Sequence, residues 1–334
     1  MQWILAYTLA LVAHTASSLA TSPRSADVST IVRPKVLPSP HGYGKPPHVS
    51  PPRDRFCFVV PKGDGRDDAD GILETIHRCN NGGTVVFDGN YTIGSPLDLT
   101  FLKHIDIALL GTINFDTDLP YWEGHWYEFT YQEGRTWWKW GGEDVNIFGG
   151  GTINGNGQPW WDANVGNSSL LRPYLIVFDG LHRSTISGIN MINSPSWFNL
   201  IANSSEVIVS NLNLTTWQSG AATPHNTDGW DIYRSEYIVL QDSVISNNDD
   251  CVSLKPNSTN IILQNLHCNG SHGISIGSLG QYIGEVDIVE NVLAYNITMA
   301  NGENGARIKT WPGVAPGTNS SAADGGGSGY IKNV

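Results

Sequence analysis

Short apolar runs broken by Gly, Asn and Ser fill the chain from about residue 82 onward. Five share one wording: STISGINMINS from Ser184, EVIVSNLNLTT from Glu206, EYIVLQDSVIS from Glu236, TNIILQNLHCN from Thr259 and EVDIVENVLAY from Glu285. Their starts lie 22, 30, 23 and 26 residues apart. A second set alternates with them: SWFNL, GWDIY, CVSLK, GISIG and GARIK. Two strand families recurring with a period in the twenties predict an all-β fold, a parallel β-helix whose turns stack on one another. A β-sandwich would space its strands by roughly 8–12 residues without such alignment. One amphipathic helix precedes the strands, over residues 67–81, with Ile72, Ile76 and Cys79 on one face.

Residues one turn apart become neighbours at about 4.8 Å in a parallel sheet. Alternation then sorts the side chains. Ile274, Ile276, Ala306 and Ile308 are expected to point inward, and Ser275, Arg307 and Lys309 outward. The outward row also takes Asp231, Tyr233, Ser253 and Lys255. Asp228, Asp250 and His272 follow one another at steps of 22 residues, each at a strand entrance. Acids, an imidazole and two cations are thereby predicted to share one face. Carboxylates crowded in a groove divide the work of general acid and general base, since like charges raise one pKa. Asp228, Asp249 and Asp250 meet that need, as glycoside hydrolysis requires. Arg307 and Lys309 suit the carboxylate of an acidic sugar.

The ends and the composition add a setting. The apolar run Ile4–Val12 with Ser18-Leu19-Ala20 after it predicts a signal peptide over residues 1–20. Residues 21–55 hold eight of the 18 prolines and are read as a leader or propeptide, with the glycosidase domain over 56–334. The four cysteines, Cys57, Cys79, Cys251 and Cys268, predict two disulfides, the local pairing being one of three connectivities. Sequons stand at Asn90, Asn167, Asn203, Asn213, Asn257, Asn269, Asn296 and Asn319, as in a secreted glycoprotein. A net charge of −12 argues against nucleic acid as a partner. No later stretch is long and apolar enough to predict a membrane span.

The set Asn226-Thr227-Asp228, Asp249-Asp250, Ser271-His272-Gly273 and Arg307-Ile308-Lys309 resembles the four signatures of the polygalacturonases, glycoside hydrolase family 28, over roughly residues 56–334. Within that family the wording NTDGWD, KPNSTNI and ARIKTWPG is most similar to the fungal exo-acting members. The resemblance implies a right-handed, pectin-lyase-like β-helix and an inverting, extracellular hydrolase of polygalacturonate or pectin that needs no metal or organic cofactor and acts as a monomer. It implies Asp249 as the general acid, Asp228 and Asp250 as holders of the attacking water, and His272 as support for the acid. Arg307 and Lys309 would grip the sugar carboxylate, with Asn226 positioning the site. Members of the family continue beyond Val334 with further coils, so the chain is expected to be a shortened one of reduced stability. An endo-acting enzyme and an inactive pectin-binding β-helix are the alternatives.

Two stretches bear on specificity. Residues 121–140 hold five of the 12 Trp, read either as a wall closing one end of the groove or as a cap on the core. Gly149 to Gly157 lacks the Lys and the strand-to-helix setting of a phosphate loop and is read as turns between coils.

Overall fold

The two alternating strand families wind into successive turns of one right-handed parallel β-helix. The computed structural model describes residues 27–38, 45, 48–313 and 325–334; the signal peptide and Asn319 lie outside the described residues. One row of strands runs through Asn199–Ala202, Trp230–Tyr233, Asp250–Leu254, Gly273–Leu279 and Ala306–Thr310. The other runs through Ile176–Ser187, Ser205–Ser210, Glu236–Ser246, Ser258–Asn269, Val286–Ala300 and Ser328–Lys332. Asn190–Ile192 and Asn213–Thr215 pair along a third side, which the end of Glu236–Ser246 then joins. The amphipathic helix forms as Ala69–Cys79 and buries Ile72, Ile76 and Cys79. Both local disulfides form, Cys57–Cys79 and Cys251–Cys268.

The core is a set of stacked apolar columns. Phe178, Ile201, Ile232, Leu254, Ile276 and Ile308 are consecutive register partners in the first row. All but the last are buried; Ile308, expected inward, is 62% exposed, because its strand is the last described in that row. Turns between rows are held by amide ladders. Asn265 donates to Asp242 at 2.7 Å and Asn296 to Asn265 at 2.8 Å. All three have positive φ, which Asn and Asp tolerate better than other side chains.

Two register expectations need correction. Ser205, not Glu206, pairs with Glu236, and Thr259 pairs with Glu290 rather than Glu285. In the second case the apolar run begins early: Val286–Glu290 lies against the strand Ser328–Lys332, and the shared wording restarts at Asn291.

Residues 27–38 and 48–55 lie along the outside of the coil. Ile31 packs with Val86, Ala108 and Phe148, and Val36 with Ile208, Val239 and Ile262.

Candidate active site

The first row presents the predicted face. Its outward positions Asp231, Ser253, Ser275 and Arg307 run in one line as consecutive register partners. The 22-residue step holds between Asp231 and Ser253, and so between Asp228 and Asp250. At the next turn it holds from Val252 onward but fails at Asp250. Asp250 pairs with Gly273, then the register shifts, and Val252 pairs with Ile274. Cys251 and Val252 are both buried in the core cluster, which is the mark of a bulge. As a result His272 faces Asp249, not Asp250. The His272 N–H donates to the Asp249 carbonyl at 2.9 Å, and His272 Nδ1 lies 3.1 Å from Asp249 Oδ1.

The bulge gives the two adjacent aspartates different surroundings. Asp250 has a fully buried side chain. Arg307 Nη2 reaches its Oδ1 at 2.7 Å, Lys309 Nζ its Oδ2 at 2.5 Å, and Ser275 Oγ donates at 2.5 Å. Burial works against its charge, but Lys309, Ser275 and Arg307 outweigh it and hold its pKa below the usual carboxylate range. Asp249 keeps a side chain 14% exposed and accepts from Asn226 Nδ2 at 3.3 Å. Asp228 is buried; burial, then the charges of Asp231 and Asp249, push its pKa well up.

Asp249, Asp250 and His272 each bring one donor atom within 4.8 Å of the others, the one such trio among the described residues. Lys309 and Arg307 already neutralise Asp250 there, so the trio carries a cationic partner of its own.

Three contributors lie beyond the motif positions. Arg172 Nη2 donates to Asn226 Oδ1 at 2.7 Å, while its Nη1 bonds the carbonyls of Pro195 and His225, both at 2.8 Å. It sits in a loop outside every repeat, so no phase pointed to it. Asp231 and Lys255, expected only as outward residues, form a buried pair at 3.0 Å, with Lys255 Nζ 4.5 Å from the centre of the Trp197 ring. Burial raises Asp231 to about 7 despite Lys255.

The aromatic stretch divides between its two readings. Trp122, Trp137, Trp138 and Trp140 are buried in the core. The antiparallel ribbon of Tyr127–Glu128 with Arg135–Thr136 instead arches over the face. Tyr131 stacks on Tyr233 at 4.2 Å, and the Gln132 N–H donates to the Tyr282 hydroxyl at 3.0 Å. Leu200 and Ala202, outward positions one strand before Asp231 and Tyr233, are buried with Tyr131, Tyr174 and Trp197.

Of the sequon asparagines, Asn90, Asn167, Asn203, Asn213 and Asn296 are exposed, and Asn257 and Asn269 half-buried. Among the described residues no helix is long and apolar enough to cross a membrane.

Residues 58–322 match Glycosyl hydrolases family 28. The chain is similar to Probable exopolygalacturonase X of Neosartorya fischeri, 53% identical over 292 residues that cover 87% of this chain and 68% of that protein. It is also similar to Exopolygalacturonase X-1 of Emericella nidulans, 52% identical over 87% of this chain and 67% of that protein. Among solved structures, the endo-xylogalacturonan hydrolase from Aspergillus tubingensis is 34% identical with a TM-score of 0.73, over 84% of this chain and 72% of that one. A hyperthermoactive Exopolygalacturonase from Thermotoga maritima shares the fold, at 22% identity and a TM-score of 0.66, over 86% and 73%.

Proposed function

We propose that this chain, which belongs to family 28 of the glycosyl hydrolases, hydrolyses α-1,4-galacturonosyl bonds of polygalacturonate from a chain end with inversion. The observation that carries the reading is the division of labour between Asp249 and Asp250. Adjacent in sequence, they are separated by the bulge into a partly exposed carboxyl beside His272 and a buried one held ionised by two cations.

In this reading Asp249 is the general acid that protonates the glycosidic oxygen, with His272 and Asn226 keeping it oriented. Asp250 is the anion that draws the proton from the attacking water, and Asp228 shares that water. Arg307 and Lys309, each with 27% of the side chain exposed, reach from Asp250 toward a bound sugar carboxylate. No step calls for a metal or an organic cofactor. End-on attack is supported by the arch over Leu200 and Ala202, which leaves the face no open continuation in that direction, and by the printed names of the exo-acting relatives. The exposed sequons and the apolar N-terminal run fit an extracellular glycoprotein.

Asp249 and Asp250 approach within 4.8 Å, closer than the roughly 6.5–9.5 Å of most inverting pairs. The product anomer is therefore the decisive measurement. Proton NMR of the first product should show the inverted β-anomer; retention would overturn the assignment of Asp228 and Asp250 to a water. Asp249→Asn should lower kcat by about 10²–10⁴ with the fold intact. Monogalacturonate as sole product supports end-on attack, mixed oligomers an endo enzyme, and binding without product a module that only docks.

A further inference from the structure

The turn that leaves the strand Asp250–Leu254 carries the sequon Asn257-Ser258-Thr259, and Asn257 lines a cavity of about 320 Å³ beside the arch. Small-molecule sites run from roughly 300 to 1,000 Å³, so this one has room for a single sugar ring. Its walls include Tyr233, Tyr282, Asp287 and Asn257, with Arg234 and Ile283 exposed at the rim. The cavity opens to solvent there, as a ligand that continues outward requires.

The Asn257 side chain is set for a sugar in that space. Its Oδ1 accepts the Ile288 N–H of the next coil at 3.2 Å, and its Nδ2 makes no bond among the described residues. Asn203 and Asn296 instead spend Nδ2 on Asp179 and Asn265, both at 2.8 Å, where an attached sugar would compete with the ladder. The walls suit the first unit of an N-linked chain, an N-acetylhexosamine. Asp287 is buried and takes the Gly280 N–H on Oδ2 at 2.6 Å, which leaves Oδ1 to accept from a hydroxyl or an acetamido N–H. Ile283, 54% exposed, offers the acetamido methyl an apolar cover, and the half-buried Tyr282 offers an aromatic face. The Tyr282 hydroxyl is tied to the arch by the Gln132 N–H, and Gln132 Nε2 donates to Gln281 Oε1 at 3.1 Å. Whatever rests on Tyr282 therefore braces the arch.

We propose that Asn257 carries an N-linked glycan whose first sugar is seated in this cavity and braces the arch. In the transfer, Nδ2 forms a bond to C1 of a sugar held on a lipid diphosphate. The C1–O bond breaks, the diphosphate leaves with the electron pair, and one Nδ2 proton is released; Oδ1 keeps its bond to Ile288. The inference rests on the extracellular glycoprotein reading above and is independent of the hydrolase chemistry.

The test uses the full chain secreted from a eukaryotic host, read by peptide mass mapping and thermal melts. Asn257 should carry sugar in most molecules. Thr259→Ala removes the sequon and leaves Asn257 in place, while Thr259→Ser keeps the sequon and serves as its control. The alanine variant should melt about 2–4 °C below the serine variant. Enzymatic trimming of the native glycoprotein to the single attached sugar should leave the midpoint unchanged, because the seat holds that sugar alone. In a Tyr282→Ala background the difference between the two Thr259 variants should shrink by about half or more, since the sugar has lost a wall. Asn257→Gln also removes the sequon and serves if Thr259→Ala misfolds. Sugar at other sequons but not at Asn257, equal melting of the two Thr259 variants, a midpoint lowered by trimming, or an undiminished difference beside Tyr282→Ala would overturn the seat and leave the glycoprotein reading in place. A chain free of sugar at every sequon would sink both.

Discussion

Burial and the charges around Asp228 and Asp231 give the site a pH signature that reaches beyond catalysis. Both carboxyls have folded pKa values above the usual one, Asp231 at about 7. A raised carboxyl pKa means that the native state binds more protons than the unfolded chain, so stability falls as pH rises from about 4 toward 7. Asp250 works in the opposite sense. Its lowered pKa contributes stability above about 4, and that is lost as pH falls through the folded value. The two effects leave maximum stability at mildly acidic pH. Thermal melts from pH 4.5 to 7.5 should show a falling midpoint. Asp231→Asn should lower the midpoint throughout, because Lys255 loses its partner, yet flatten the slope; a slope equal to the wild type's would refute the raised pKa. The residue types of this cluster were legible in the chain, since phase alone put Asp228, Asp250, Arg307 and Lys309 on one face. Arg172 was not, because it comes from a loop that follows no repeat.

At the scale of the strand, most of the coil could be read from alternation, and the exceptions have one cause. Alternation assumes one residue in, one out, and a bulge breaks that count. At Cys251-Val252 two consecutive residues turn inward, so a 22-residue spacing that looked like one aligned set is two: Asp228 with Asp250, and Asp249 with His272. The same counting failure explains Glu285, where an extra stretch of strand precedes the repeat. The column behind the site obeys the count. Leu254 is fully buried between Ile232 and Ile276, directly behind Ser253 and Lys255. Leu254→Ala should cost about 2–5 kcal/mol. Because stacked turns contact only their neighbours, the loss should appear first as faster amide exchange in Trp230–Tyr233 and Gly273–Leu279. Uniform exchange across all turns would argue against local coupling.

For the molecule as a whole, the segment before Phe56 changes meaning once its contacts are seen. Composition reads residues 21–55 as a leader, because eight prolines and no periodicity leave nothing for a repeat to fold. Its described parts nonetheless bind the coil through polar groups that periodicity does not register. Arg53, with a side chain 3% exposed, sits 2.9 Å from Asp106 and 3.2 Å from Asp144, and Arg33 joins Asp106 at 3.1 Å. Gln241 donates to the Leu37 carbonyl at 2.8 Å, tying the segment to a strand some two hundred residues away in sequence. Asp106 and Asp144 are themselves buried; Asp106 is held by both arginines, and Asp144 by Arg53 with His104. Arg53 serves two buried carboxylates at once, and removing the partner of a buried charge costs about 3–5 kcal/mol. Arg53→Ala should therefore destabilise the folded chain by that order. Arg33, with a side chain 23% exposed, should cost less when changed to alanine, because Asp106 keeps its pairing with Arg53. Denaturant melts of the two variants, and of a chain begun at Phe56, give the ranking: the shortened chain should be the least stable, Arg53→Ala next and Arg33→Ala nearest the wild type. A shortened chain as stable as the full one would return the segment to the status of a leader that the coil does not need.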